Sequence, residues 1–117
     1  MRSVRIACQP DPEIGGATLV RLSGYMDAVG ATQFWDEASP HIVADRPSML
    51  VDMSDIDFLS SSGITTLIQL LKQARPLGGR VSIFGCKPPI RKVLRIVSLE
   101  DILNVCDTAE DARRRVN

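Results

Sequence analysis

Val4, Ile6 and Cys8 alternate with Arg5 and Ala7, and this period of two predicts a short strand. Pro10, Pro12, Gly15 and Gly16 then predict a turn, and residues 18–23 (Thr-Leu-Val-Arg-Leu-Ser) a second strand bounded by Gly24. Two strands this close predict an antiparallel hairpin. Ala31, Phe34, Trp35 and Ala38 recur at i, i+3, i+4 and i+7, one helical stripe. Pro40 either breaks this helix or starts a new turn after Ser39, and Arg46-Pro47 marks another boundary. In residues 48–53 the apolar run Met49-Leu50-Val51 does not alternate, which predicts a strand covered on both faces. Residues 54–60 read as a loop. Ile64, Leu67, Ile68 and Leu71 give the clearest helical stripe, which ends near Pro76 with Gly78-Gly79 beyond. Residues 81–84 predict a strand, and Pro88-Pro89 opens a helix with Ile90, Val93, Leu94 and Val97 at the same spacing. Residues 104–106 predict a short last strand, and Thr108 with Asp111 an N-terminal cap before Ala109, Ala112, Arg113 and Val116.

The order β-β-α-β-α-β-α-β-α predicts an α/β fold. Its mixed sheet has four to five strands, largely parallel after an N-terminal hairpin, packed with about four helices. No repeat, low-complexity tract or linker interrupts it, and 117 residues fit one domain over 1–117.

With 44% hydrophobic and 24% charged residues the chain can bury a core, and with 4% aromatics the packing falls to aliphatic side chains. Fourteen Lys+Arg balance fourteen Asp+Glu, which argues against direct nucleic-acid binding or a polybasic membrane binder. No membrane insertion is expected: the N-terminus, Met1-Arg2-Ser3-Val4-Arg5, lacks the apolar run of a secretory signal, and no apolar stretch is long enough to span a bilayer. Cys8, Cys86 and Cys106 are odd in number and far apart, without a CxxC or a nearby histidine. They form neither a disulfide framework nor a zinc site, and a reducing cytoplasm is the expected location. The neutrality is uneven, because nine acidic groups face four basic ones in residues 1–58 and five face ten in residues 59–117. Lys72, Arg75, Arg80, Lys87, Arg91, Lys92 and Arg95 run without an intervening acid. They read either as solvated helix faces or as a docking surface for an acidic partner.

Enzyme templates fail in turn. The chain has no GxGxxG and no GxxxxGK[ST], and Ser61 lies in Ser-Ser-Ser-Gly rather than in a nucleophile elbow. His41 is the only histidine and follows Pro40 in a surface connection. Asp55 and Asp57 read as solvating the loop, and Asp52 as ending its strand by bonding nearby backbone. No catalytic constellation, metal site or cofactor is implied. What stands out is Ser60-Ser61-Ser62-Gly63-Ile64 at the start of an amphipathic helix. One serine suffices to cap the helix, a hydrogen bond worth about 1 kcal/mol. Three leave room for a modification site, because the free N–H groups and partial positive charge there tolerate a phosphate. The residues alone leave both readings open.

The segment from Asp52 to Ile64 resembles the STAS domain of bacterial anti-sigma factor antagonists, whose pattern reads D-x-S-x-x-x-F-[LIM]-D-S-[ST]-G-[LI]. Asp52, Ser54, Phe58, Leu59, Ser61, Ser62, Gly63 and Ile64 match it. Gly24-Tyr25-Met26-Asp27 is similar to the family's G-x-x-D after the second strand, Gly78-Gly79 to its turn before the next strand, and the stretch from Val93 to Ile102 to its closing segment.

The resemblance implies a partner switch. The unmodified antagonist binds an anti-sigma factor that is also a GHKL-type serine kinase, which frees the sigma factor. Phosphorylation of a serine at the helix start then dissolves the complex until a serine phosphatase resets it. By position the phospho-acceptor is Ser61, with Ser60 and Ser62 as alternatives. The phosphotransfer chemistry belongs to the partner, so the chain is a substrate and not an enzyme. The expected docking residues are Tyr25, Met26, Asp27, Asp57, Ser60, Ser61, Ser62 and Ile64. Ser60 stands where the family has aspartate, so Ser60 is either a cap that leaves Ser61 exposed or itself the acceptor. The alternative reading is an unphosphorylated STAS scaffold or accessory subunit, of a stress-signalling assembly or a lipid-transport ABC complex.

Overall fold

In the computed structural model, which describes residues 3–117, the alternating N-terminal segment forms β1 (Val4–Pro10). It pairs antiparallel with β2 (Ala17–Met26), from Val4 opposite Gly24 to Pro10 opposite Thr18. The reading of Met1 and Arg2 as lacking a signal lies outside the described residues. The turn between the strands is organised by Asp11, whose Oδ2 accepts from the backbone N–H of Glu13 (3.1 Å) and Ile14 (2.9 Å). The chain continues through α1 (Ala28–Ala38), β3 (Ser48–Leu59), α2 (Ser61–Ala74), β4 (Val81–Phe84), α3 (Pro88–Ile96), β5 (Val105–Cys106) and α4 (Ala109–Val116). A 3-10 turn at Ser39–His41 uses Pro40 to leave α1, and another at Arg75–Leu77 follows α2. The sheet order is β1-β2-β3-β4-β5, parallel from β2 onward. This is the mixed α/β sheet with an N-terminal hairpin that the sequence predicts.

The two faces of the sheet carry separate cores. Met49, Val51 and Ile83 face the side covered by α1, α2 and α3, with Phe34, Leu67, Leu70 and Leu94. Leu19, Leu50 and Phe84 face α4, through Ala112 and Val116. Residues 48–51 of β3 are therefore buried on both sides, as their unbroken apolar run predicts. Thr108 caps α4 by accepting from Asp111 N–H at 3.1 Å.

Three expectations are corrected. Residues 54–60 are not a loop, since β3 runs on to Leu59. Polar Asp and Ser are poor strand formers, but two irregularities in the β2–β3 register accommodate them. Arg21 pairs with Asp52 and Ser23 with Asp55, then Gly24 with Ile56 and Tyr25 with Phe58. These bulges turn Met53 and Ile56 wholly into the core and leave Asp55, Asp57 and Phe58 outside. Asp52 consequently does not end the strand; its Oδ1 accepts from Ser54 N–H within it. Finally, α3 buries Ile90 and Leu94 but leaves Val93 and Val97 exposed.

Candidate functional site

The site is built where the parallel strands β2 and β3 end together. Tyr25 lies opposite Phe58, and Met26 opposite Leu59. The N–H of Ser60 donates to Met26 O at 2.8 Å, which ties the start of α2 to the end of β2. Each strand passes directly into a capped helix. Asp27 accepts from Gly30 N–H at 2.7 Å to cap α1, and Ser60 Oγ accepts from Gly63 N–H at 3.1 Å to cap α2. The two helix starts therefore stand side by side.

The three serines are sorted by this geometry. Ser60 is half-buried and committed to the cap, while Ser61, the first residue of α2, is exposed. Ser62 is half-buried and lines a groove of about 430 Å³ between α1 and α2, with Ala28, Trp35 and Gln69. Further along α2, Thr65 Oγ1 donates to Ser61 O (3.0 Å) and Thr66 Oγ1 to Ser62 O (3.1 Å). The first turn of α2 contains no acidic side chain, so the partial positive charge of its N–H groups is uncompensated there.

The other expected docking residues divide. Tyr25 is half-buried and stacks on Phe58, with ring centroids 5.7 Å apart and planes 29° from parallel. Asp57, exposed at the second bulge, pairs with Lys87 at the start of α3. Asp27 is exposed but used as a cap, and Ile64 is half-buried. Met26 is corrected: it is wholly buried. It packs beneath α2, where Gly63 lets the helix approach so closely that a Cβ would come 2.5 Å from Met26 Cγ and 2.7 Å from Leu59 Cδ1. Its side chain supports the site from below and cannot touch a partner.

Sequence reasoning missed Phe58 as a surface residue. It is 44% exposed, and Val29, on the first turn of α1, is 78% exposed. An aromatic side chain between Asp57 and Leu59 was the available signal. Reading residues 54–60 as a loop concealed that Phe58 lies opposite Tyr25 in the sheet and stacks on it.

Among the described residues no three His, Cys, Asp or Glu side chains are grouped to hold a metal ion, and no helix is long and apolar enough to cross a membrane. His41 is half-buried in its 3-10 turn. Three of the seven cations in the basic run form ion pairs among the described residues: besides Lys87 with Asp57, Arg91 pairs with Glu100 and Asp107, and Arg95 with Glu100.

Known proteins share this architecture. Over 100 residues the chain is 25% identical to BtrV of Bordetella bronchiseptica, which carries the name of an anti-sigma factor antagonist; the match covers 86% of each chain. An anti-sigma factor antagonist from Mycobacterium paratuberculosis superposes with a TM-score of 0.80 at 24% identity, over 97% of this chain and 93% of that one. The Bacillus cell fate determinant SpoIIAA in its phosphorylated form gives a TM-score of 0.70 at 23% identity, over 95% of this chain and 100% of that one. Residues 10–112 match the STAS domain family as a whole. The chain belongs to the STAS domain family.

Proposed function

We propose that the chain is an anti-sigma factor antagonist that works in the cytoplasm by partner switching. Its unmodified form binds an anti-sigma factor with serine kinase activity. Phosphorylation of Ser61 dissolves that complex, and a serine phosphatase restores it. The observation that carries this reading is the division of labour between two adjacent serines. Ser60 is held by its cap, whereas Ser61 is exposed at the start of the helix that follows the strand carrying Phe58, which stacks on Tyr25. Ser60 stands at the position of the aspartate common in the family, and its engagement in the cap, with Ser61 exposed, supports Ser61 as the acceptor.

The mechanism is electrostatic. A phosphate on Ser61 adds about −1.5 to −2 charges. The helix tolerates them, because the Ser60 cap takes up the Gly63 N–H while the N–H groups of Ser61 and Ser62 have no acceptor within the helix. A partner packed over Ser61, Phe58 and Val29 does not, because it must desolvate the charge without a cation shaped to receive it. The nearby Lys87 is already engaged by Asp57.

The test is binding of the chain to its partner kinase, with Ser61→Asp and Ser61→Ala compared. The expected result is retained binding by Ser61→Ala and about a 100-fold loss, near 2.7 kcal/mol, for Ser61→Asp. Equal binding by both variants would favour an unphosphorylated scaffold instead.

A further inference from the structure

Four of the exposed large hydrophobic side chains crowd into ten residues of chain, with Val93 41%, Ile96 71%, Val97 47% and Ile102 46% exposed. They lie on the C-terminal half of α3 and the turn after it. The helix turns Ile90 and Leu94 inward, and sends Arg91 and Arg95 to Glu100 on one flank. Val93 and Ile96, three residues apart, share the other flank.

The surroundings of this apolar patch are cationic. Lys92 on α3 and Arg75 at the end of α2 are exposed, and neither forms an ion pair among the described residues. Arg75 and Arg80 line one cavity of about 320 Å³ together with Ile102, where Asp101 is the single acid. The patch is also remote from Ser61. The 14 residues of α2 place the helix end that carries Arg75 about 20 Å from its start.

We infer that this end of the domain is a second docking surface, which receives a segment of a protein partner that presents acidic side chains alongside apolar ones. Charge complementarity selects that occupant. A second copy of the chain meeting the patch face to face would set Lys92 and Arg75 against like charges. A bilayer surface calls for a broader cationic field and interfacial aromatics, whereas this patch has aliphatic side chains only and a nearby acid. Because the surface lies far from Ser61, its occupancy is independent of the phosphorylation switch and stands apart from the function proposed above.

The experiment replaces Ile96 with the photocrosslinker p-benzoylphenylalanine in the full chain, expressed in its own cells, and maps the adduct by mass spectrometry. The same cross-linker at Val93 is the second variant, and thermal melts confirm that each is folded. The expected adduct lies in one segment of one protein, in which acidic residues flank apolar ones. Its yield is unchanged by Ser61→Asp and falls at least tenfold in the Arg75→Glu, Lys92→Glu double variant. An adduct to a second copy of the chain or to lipid, or none at either position, would overturn the inference. A cross-linker at Tyr25 reports separately on the Ser61 face, so failure there counts against the proposed function alone.

Discussion

Gly63 sits on Met26: a Cβ at position 63 would lie 2.5 Å from Met26 Cγ, with Leu59 Cδ1 at 2.7 Å on the other side. Glycine here is a packing requirement, which lets α2 settle onto the ends of β2 and β3 and brings Ser61 beside Phe58. Gly63→Ala should gain about 1 kcal/mol of helix propensity but lose about 2–3 kcal/mol to overpacking of buried Met26. The net expectation is a destabilisation of about 1–2 kcal/mol, read from urea unfolding. A stabilised variant would show that the helix can shift away without cost.

Ser60 and Ser61 should separate in stability measurements as they do in geometry. Ser60→Ala removes the acceptor for Gly63 N–H and should cost about 1 kcal/mol, a fall in Tm of about 3–5 °C for a chain of this size. Ser60→Asp keeps an acceptor and adds a charge favoured at a helix N-terminus, so its Tm should stay level or rise. Ser61→Ala should lie within about 0.5 kcal/mol of the parent, because the residue is exposed. Calorimetry of the three variants checks the order.

Arg113 and Asp11, 102 positions apart in sequence, hold α4 to the β1–β2 turn through a two-pronged pair with bonds of 2.9–3.2 Å. Burial alone would raise the Asp11 carboxyl, but Arg113 and the N–H groups of Ile14 and Glu13 more than offset it and hold it below its ordinary value. A carboxylate with a lowered folded-state pKa stabilises the protein above its unfolded pKa, and the contribution fades as the pH falls through the folded value. The chain should therefore lose stability on acidification below about pH 4. Arg113→Ala should cost about 2–3 kcal/mol at neutral pH, since it strands a buried carboxylate, and should flatten that acid dependence. Urea unfolding at pH 7 and pH 3 measures both effects.

Phe58 is expected to contribute more to binding than to folding. Its ring is 44% exposed and stacked on Tyr25. Phe58→Ala should cost only about 1 kcal/mol of stability, yet weaken the complex with the partner kinase by about 2 kcal/mol, the scale of an aromatic anchor. Titration calorimetry and a thermal melt of the same variant separate the two.

Much of this was legible in the sequence, for identifiable reasons. The stripe around Leu67 and Leu71, the unbroken Met49-Leu50-Val51 and the Thr108 cap each express one dominant local force, and the structure follows them. The start of α2 at the serine cluster was legible too, because a short hydroxyl just before an amphipathic stripe is a favoured helix cap. The second half of β3 was hidden, since Ser54, Asp55 and Asp57 prefer turns and the pairing that overrides them comes from β2, some 30 residues earlier. Met26 was misplaced for the same reason: its burial depends on Gly63, a neighbour only in the fold. The exposure of Val93 and Val97 was not legible either, because the apolar spacing in residues 90–97 is the same for positions that the fold buries, Ile90 and Leu94, and for those it leaves outside.

The most direct test of the central claim is phosphopeptide mapping of the chain recovered from its own cells, with and without stress. The account predicts a single modified position, Ser61, with Ser60 and Ser62 unmodified. A serine cluster free of phosphate under every condition, or phosphate on Ser60 in place of Ser61, would contradict it.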